Sequence, residues 1–118
     1  MVMKMKKILF TGARSGIAKN TIDKLIKNGN YYIYVSVHTE SQLKSIKKIY
    51  QNTSNIECFK LDVTSETDLK KIEDLDIDIL VSNAATGVCG SVSEIEIEKM
   101  KYNFDVNVFS NFRLVQSF

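Results

Sequence analysis

Thr11-Gly12-Ala13-Arg14-Ser15-Gly16-Ile17-Ala18 follows the apolar run Ile8-Leu9-Phe10. The order is that of a strand, a glycine turn and the first turn of a helix. Such a turn can hold a phosphate. Glycine lets the backbone bend sharply and come close to a ligand. A helix that starts there aims its unpaired N–H groups and positive dipole end at the same point. The same pattern also serves a strand–helix connection that binds nothing, so the turn needs support from the rest of the chain.

The elements around the turn supply that support. Residues 6–11, 31–37, 56–61 and 77–81 read as strands, rich in β-branched, aromatic or other apolar side chains. Residues 17–27 read as a helix with the apolar stripe Ile17, Ile22, Leu25 and Ile26, stopped by Asn28-Gly29. Thr39 caps a second helix running to about Tyr50, with Leu43, Ile46, Ile49 and Tyr50 as its inner face. Ser65-x-x-Asp68 has capping-box spacing and opens a third helix. A Gly/Ser loop covers residues 86–93, and Ser93-x-x-Glu96 opens a last helix that runs to the end of the chain.

Strands alternating with helices imply parallel pairing and right-handed crossovers, hence an α/β fold. Ligands in such sheets lie beyond the carboxyl ends of the strands, where the strand order reverses. Residues 12–17, Val37-His38, Asp62-Val63 and Ser82-Asn83-Ala84-Ala85 all follow strand ends. The fold would therefore gather them into one cleft.

The whole chain narrows the classes. Its 118 residues suit one domain, and 44% apolar with 25% charged residues is ordinary for a globular protein. The net charge of +2 is small and the lysines are scattered, so nucleic acid is not expected as a partner. No apolar run reaches the length of a membrane span, and residues 1–7 carry no signal-peptide apolar region. Cys58 and Cys89 stand far apart without a C-x-x-C, and read as reduced, buried thiols of a cytoplasmic protein. No metal-ligand cluster is expected.

Thr11-Gly12-x-x-x-Gly16-Ile17-Ala18 resembles the T-G-x-x-x-G-I-G turn of the short-chain dehydrogenase/reductase family, with Ala18 in place of the third glycine. Asp62-Val63 is similar to the family's Asp-Val pair, and Asn83-Ala84-Ala85 to its N-A-G step. Asn107, within Val106-Asn107-Val108, is similar to the family's helix Asn. The resemblance runs from Lys7 to Phe118 and implies a Rossmann-like, doubly wound parallel sheet, here its first four strands and their helices. It implies NAD(P)-dependent hydride transfer to or from a carbonyl or alcohol of a small-molecule substrate.

By the same resemblance, Thr11, Gly12, Arg14, Ser15, Gly16 and Ile17 belong to the cofactor's phosphate turn. Asp62 accepts from the adenine amino group beside Val63. Asn83 fixes neighbouring backbone, and Ala84 and Ala85 leave room for ribose and nicotinamide. Asn107 joins a water-linked proton relay and is the candidate catalytic residue. Taken alone, Asp62 also suits a helix cap, and Asn107 a solvated helix face. His38 ends the second strand where NADP-preferring members often carry Arg, and no Asp stands there. This favours NADP over NAD, although a loop histidine without a ligand gives the same pattern.

The family's acid–base pair is a Tyr with a Lys four residues later. None of Tyr31, Tyr32, Tyr34, Tyr50 and Tyr102 has that Lys. The resemblance places the pair, and the family's Ser, beyond Phe118. The 118 residues are thus expected to be a truncated NAD(P)-binding domain, inactive by itself. A dinucleotide binder without redox chemistry, or a remnant acting as an interaction module, remains open. The last helix carries Met100, Phe104, Val108, Phe109, Phe112, Val115 and Phe118, more than one face needs. That excess suits either a homo-oligomer or contact with further chain.

Overall fold

The computed structural model describes residues 4–14 and 16–118. Strands β1 (Lys6–Thr11), β2 (Tyr31–Val37), β3 (Ile56–Lys60) and β4 (Ile79–Val81) form one parallel sheet in the order β3-β2-β1-β4. Helices α1 (Ile17–Asn28), α2 (Glu40–Ile49) and α3 (Glu66–Glu73) link them in turn. After β4 an irregular stretch leads to α4 (Ile97–Phe104), a π turn (Asp105–Phe109) and α5 (Ser110–Ser117). This is the expected Rossmann-like α/β arrangement. Strand order reverses between β1 and β4.

The sheet has two cores. Phe10, Ile33, Val35 and Val37 pack with Ala18, Ile22, Ile46 and Tyr50 of the α1–α2 layer. Leu9 turns to the other face and meets Leu61, Leu69, Ile72, Val106 and Leu114. A strand covered on both sides has no polar face, which is why Ile8-Leu9-Phe10 shows no alternation. The layers are pinned by polar contacts too. The Tyr50 hydroxyl donates to Asp23 at 2.6 Å, joining α2 to α1.

Helix ends follow local chemistry at most junctions. Gly29 ends α1 at φ 78°, a left-handed conformation open to glycine. Thr39 accepts from the Gln42 N–H while the Gln42 side chain accepts from the Thr39 N–H, closing a capping box.

Several expectations need correction. Ile17 is 84% exposed, because it is the first residue of α1 and stands beyond the end of the sheet. Ile49 is 55% exposed and lines a groove between α1 and α2 instead of facing the sheet. Ser65 does accept from the Asp68 N–H, but the Asp68 carboxylate takes the Asp62 N–H at 2.8 Å, so the box stays open. Ser93 caps nothing. Its hydroxyl pairs with Ser91, and Glu96 directly precedes α4. β4 begins at Ile79, since Asp78 uses its carboxylate as well as its backbone on Lys7 of β1. β3 ends at Lys60, although the Leu61 N–H still bonds to Val37. Cys89 is exposed and Cys58 only half-buried; both are free. Among the described residues, no helix is long and apolar enough to cross a membrane.

Leu9 and Ile17 separate core from surface. Leu9→Ala is expected to lower unfolding stability by about 2–5 kcal/mol, and Ile17→Ala by under about 0.5 kcal/mol, in urea titrations. Equal losses would contradict the placement of Ile17.

Candidate functional site

The glycine turn is held from two sides. The N–H groups of Gly12 and Ala13 both donate to the Ser36 carbonyl of β2, at 3.0 and 3.1 Å. Gly12 has φ 71°, and a Cβ added there would lie 2.5 Å from the Ala84 Cα. Only glycine allows the β1 turn and the β4 loop to approach so closely. Gly16 has φ 65° with open space around it, so conformation rather than room selects it.

α1 differs from α2 and α3 at its start. Thr39 and Ser65 cap their helices with side-chain oxygens. Gly16 offers no side chain to cap α1, and the first turn of α1 holds no acidic residue. Among the described residues, its N-terminal donors have no side-chain cap, and they lie at the turn beside the cleft, a condition that suits an anion. Ser15 lies outside the described residues.

The β4 loop is stitched to β1 by two residues. Thr11 is fully buried, and its Oγ1 accepts from the N–H groups of Asn83 and Ala84 at 3.0 and 3.1 Å. Asn83 Nδ2 donates to the Gly12 carbonyl at 2.9 Å. Asn83 thus ties the β4 loop to the backbone of the glycine turn.

On the β3 side, Asp62 Oδ1 accepts from the Thr64 N–H and hydroxyl at 2.9 and 2.6 Å. Its Oδ2 lies 3.9 Å from His38 Nε2. Burial pushes the Asp62 carboxyl up, but the Thr64 hydrogen bonds and nearby His38 outweigh it and hold it below the usual carboxylate range. Asp68 is held low chiefly by the Asp62 N–H; burial opposes this, and Lys71 and Lys60 add to the lowering.

Gly12, Arg14, His38, Asp62, Val63, Asn83, Ala84 and Ala85 line one cleft of about 430 Å³. Eight candidates far apart in sequence therefore meet at the β1/β4 reversal. Thr11 lies beneath the cleft, whereas Gly16 and Ile17 are exposed at the turn beside it. Asn107 stands one layer back. Its Nδ2 donates to the Thr86 carbonyl at 2.7 Å, and its Oδ1 accepts from the Thr86 N–H at 2.8 Å. The amide brackets one residue's backbone, so the solvated-face reading of Asn107 is wrong.

Sequence reasoning passed over Gln42, Thr86, Tyr102 and Val106, which also line the cleft. Gln42 had a signal, the Thr39-x-x-Gln42 spacing. The others had none, because their place depends on how α4 and the π turn lie over the β4 loop. A second groove of about 360 Å³ between α1 and α2 shares Arg14, Val37 and Gln42 with the cleft. Among the described residues, no group of three His, Cys, Asp or Glu is placed to hold a metal ion.

A family model described as short chain dehydrogenase matches residues 6–118. The NADPH-dependent 3-dehydrocapnine reductase of Ornithobacterium rhinotracheale is 28% identical over 95% of this chain and 41% of its own length. The short-chain dehydrogenase virD of Hypocrea virens is 34% identical over 100% of this chain and 42% of its own. In three dimensions, the NADPH-bound carbonyl reductase from chicken fatty liver aligns with TM-score 0.82 at 17% identity, covering 99% of this chain and 48% of that one. An actinorhodin polyketide ketoreductase solved with NADPH aligns with TM-score 0.85 at 22% identity, covering 96% of this chain and 46% of that one. The chain spans less than half the length of each of these proteins.

The lowered Asp68 carboxyl makes stability depend on pH. A depressed folded value stabilises above the unfolded value of about 3.9 and loses that contribution as pH falls through the folded one. Asp68→Asn is expected to cost about 1–2 kcal/mol at pH 7. It should also flatten the loss of stability below about pH 4. Urea midpoints across pH 2–7 test this, and parallel curves for the two proteins would refute it.

Proposed function

The chain belongs to the short-chain dehydrogenase family, and from that premise we propose that it is the cofactor-binding half of an NAD(P)-dependent oxidoreductase. The observation that carries this reading is the meeting of four strand-end segments in one cleft at the β1/β4 reversal. The residues fit a dinucleotide. Gly12 leaves backbone alone against Ala84, and α1 opens with uncapped donors where a pyrophosphate would sit.

In this reading, Gly12, Gly16 and Ile17, with Ser15 by its place in the motif, hold the phosphates over Thr11. Asp62 takes the adenine amino group on its free oxygen, beside Val63. Asn83 holds the backbone of the turn, and Ala84 and Ala85 leave space for ribose and nicotinamide. The bound nicotinamide would supply or accept the hydride exchanged with a small carbonyl or alcohol. Asn107 serves the catalytic region by fixing Thr86. His38 is the basic group at the β2 end, where an acidic residue would favour NAD, and Arg14 is a second basic group, in the phosphate turn, so NADP is preferred. NADPH in the names of the reductase relative and both solved structures supports that preference. None of the five tyrosines has a lysine four residues on, so the 118-residue chain is taken to bind without turnover.

Fluorescence titration of the purified chain is expected to show tighter binding of NADPH than NADH, with no carbonyl-dependent NADPH oxidation. His38→Asp should move the affinity ratio towards NADH by about tenfold. An unchanged ratio removes His38 from cofactor choice, and absence of binding by either dinucleotide overturns the reading.

A second reading concerns assembly. Phe104, Val108, Phe112 and Val115 recur at three- and four-residue spacing and are 50%, 39%, 64% and 65% exposed. A second copy of the chain would cover this row. Sedimentation should then find a dimer or larger species that Phe112→Asp returns to monomer; a monomeric parent chain rejects it.

A further inference from the structure

The long C-terminal helical region breaks register just where it meets the cleft. The Ser110 N–H bonds to the Asp105 carbonyl, five residues back, so the Val106 carbonyl loses its usual α-helical donor. The Ser110 hydroxyl replaces that donor and is itself buried. One residue later the pattern is repeated by an amide. Asn111 Nδ2 donates to the Asn107 carbonyl at 2.8 Å. Back-bonding of this kind bends a helix and holds the bend.

Asn111 also reaches across to the sheet. Its Oδ1 accepts from the hydroxyl of Ser82, the residue that follows β4. A hydroxyl donor on one side and a carbonyl on the other leave one orientation for the amide. Asn111 therefore ties the end of β4 to the backbone of Asn107. Asn107 in turn brackets Thr86 with both atoms of its amide and meets Asn103 one turn earlier at 3.3 Å. Thr86 lines the cleft. The chain of contacts runs from Ser82 through Asn111 and Asn107 to Thr86, and every link is a hydrogen bond.

We propose that Asn111 is a positioning residue for the cofactor cleft, locking the π turn so that Asn107 holds Thr86 in place. The proposal rests on the reading of the cleft as a dinucleotide site. It adds a residue outside the cleft lining, and a mechanism for shaping the wall beyond β4. His38 and Asp62 follow β2 and β3, on the other side of β1 from Thr86. A fault at Asn111 should therefore damage one side of the cleft and spare the other.

Asn111→Asp keeps the shape and the acceptor for Ser82 but removes the donor to Asn107. Two readouts test it on the 118-residue chain. Hydrogen exchange of the Thr86 amide, measured without ligand, is expected to quicken by about tenfold. Affinity for NADPH is expected to fall by about fivefold while affinity for adenosine 2′,5′-bisphosphate stays unchanged. Ser82→Ala, which leaves the helix intact, should give the same pattern more weakly and serves if Asn111→Asp does not fold. Unchanged exchange at Thr86, or equal weakening of both ligands, overturns the proposal. If the parent chain binds neither ligand, the dinucleotide reading falls, and Thr86 exchange alone then decides the positioning role.

Discussion

One side-chain oxygen joins the two halves of the site. Thr11 Oγ1, buried at the end of β1, accepts two backbone N–H groups from the loop after β4. β4 pairs with β1 through only three residues, so the ladder by itself holds the loop weakly. A buried N–H without an acceptor costs about 1–3 kcal/mol, and here one hydroxyl answers for two. Close approach follows from that bond. The Gly12 carbonyl takes Asn83, and the Gly12 α-carbon comes so near Ala84 that no side chain fits. The floor of the cleft is thus backbone packed on backbone.

Around that floor, polar groups divide between holding the structure and facing the cleft. Asp68 leaves its own helix cap unclosed and takes the Asp62 N–H. Asp62 gives one oxygen to Thr64 and leaves the other towards His38. α2 and α3 begin with side-chain caps, whereas α1 begins with glycine. A cap would add stability to α1 and would also occupy the donors that an anion needs. Among the described residues, the helix without a side-chain cap is the one that follows the glycine turn beside the cleft.

The far wall is built from the last helical region. A continuous α-helix would keep the Ser110 N–H on Val106. The π turn shifts that bond by one residue, the Ser110 hydroxyl supplies the Val106 carbonyl it leaves behind, and Asn111 Nδ2 donates to the next carbonyl, that of Asn107. The same region leaves Phe112 and Val115 outward while Leu114 is fully buried against the sheet. Positioning of Thr86 and exposure of an apolar row therefore come from one stretch of chain.

Short-range chemistry was legible in the sequence. The bounds of β1 and β2, the start of α1 and its stop at Gly29, and the Thr39 cap follow from side chains acting on backbone within a few residues. The alternation of strands and helices fixed the parallel fold, because few chain paths can connect such elements. That fold by itself implies that His38, Asp62 and Asn83 meet. Apolar spacing could not tell that Ile17 and Ile49 are exposed, since a stripe marks a face without saying where its covering surface ends. Ser93 had a capping pattern but found Ser91 nearer. Asn107 had two readings until Thr86 was seen between its amide atoms. The π turn, the Ser82–Asn111 link and the place of Tyr102 in the cleft join residues brought together only by packing. Sequence alone determined which segments meet; tertiary structure decided which atoms pair, because a hydrogen bond requires a match of distance and direction that residue spacing does not encode.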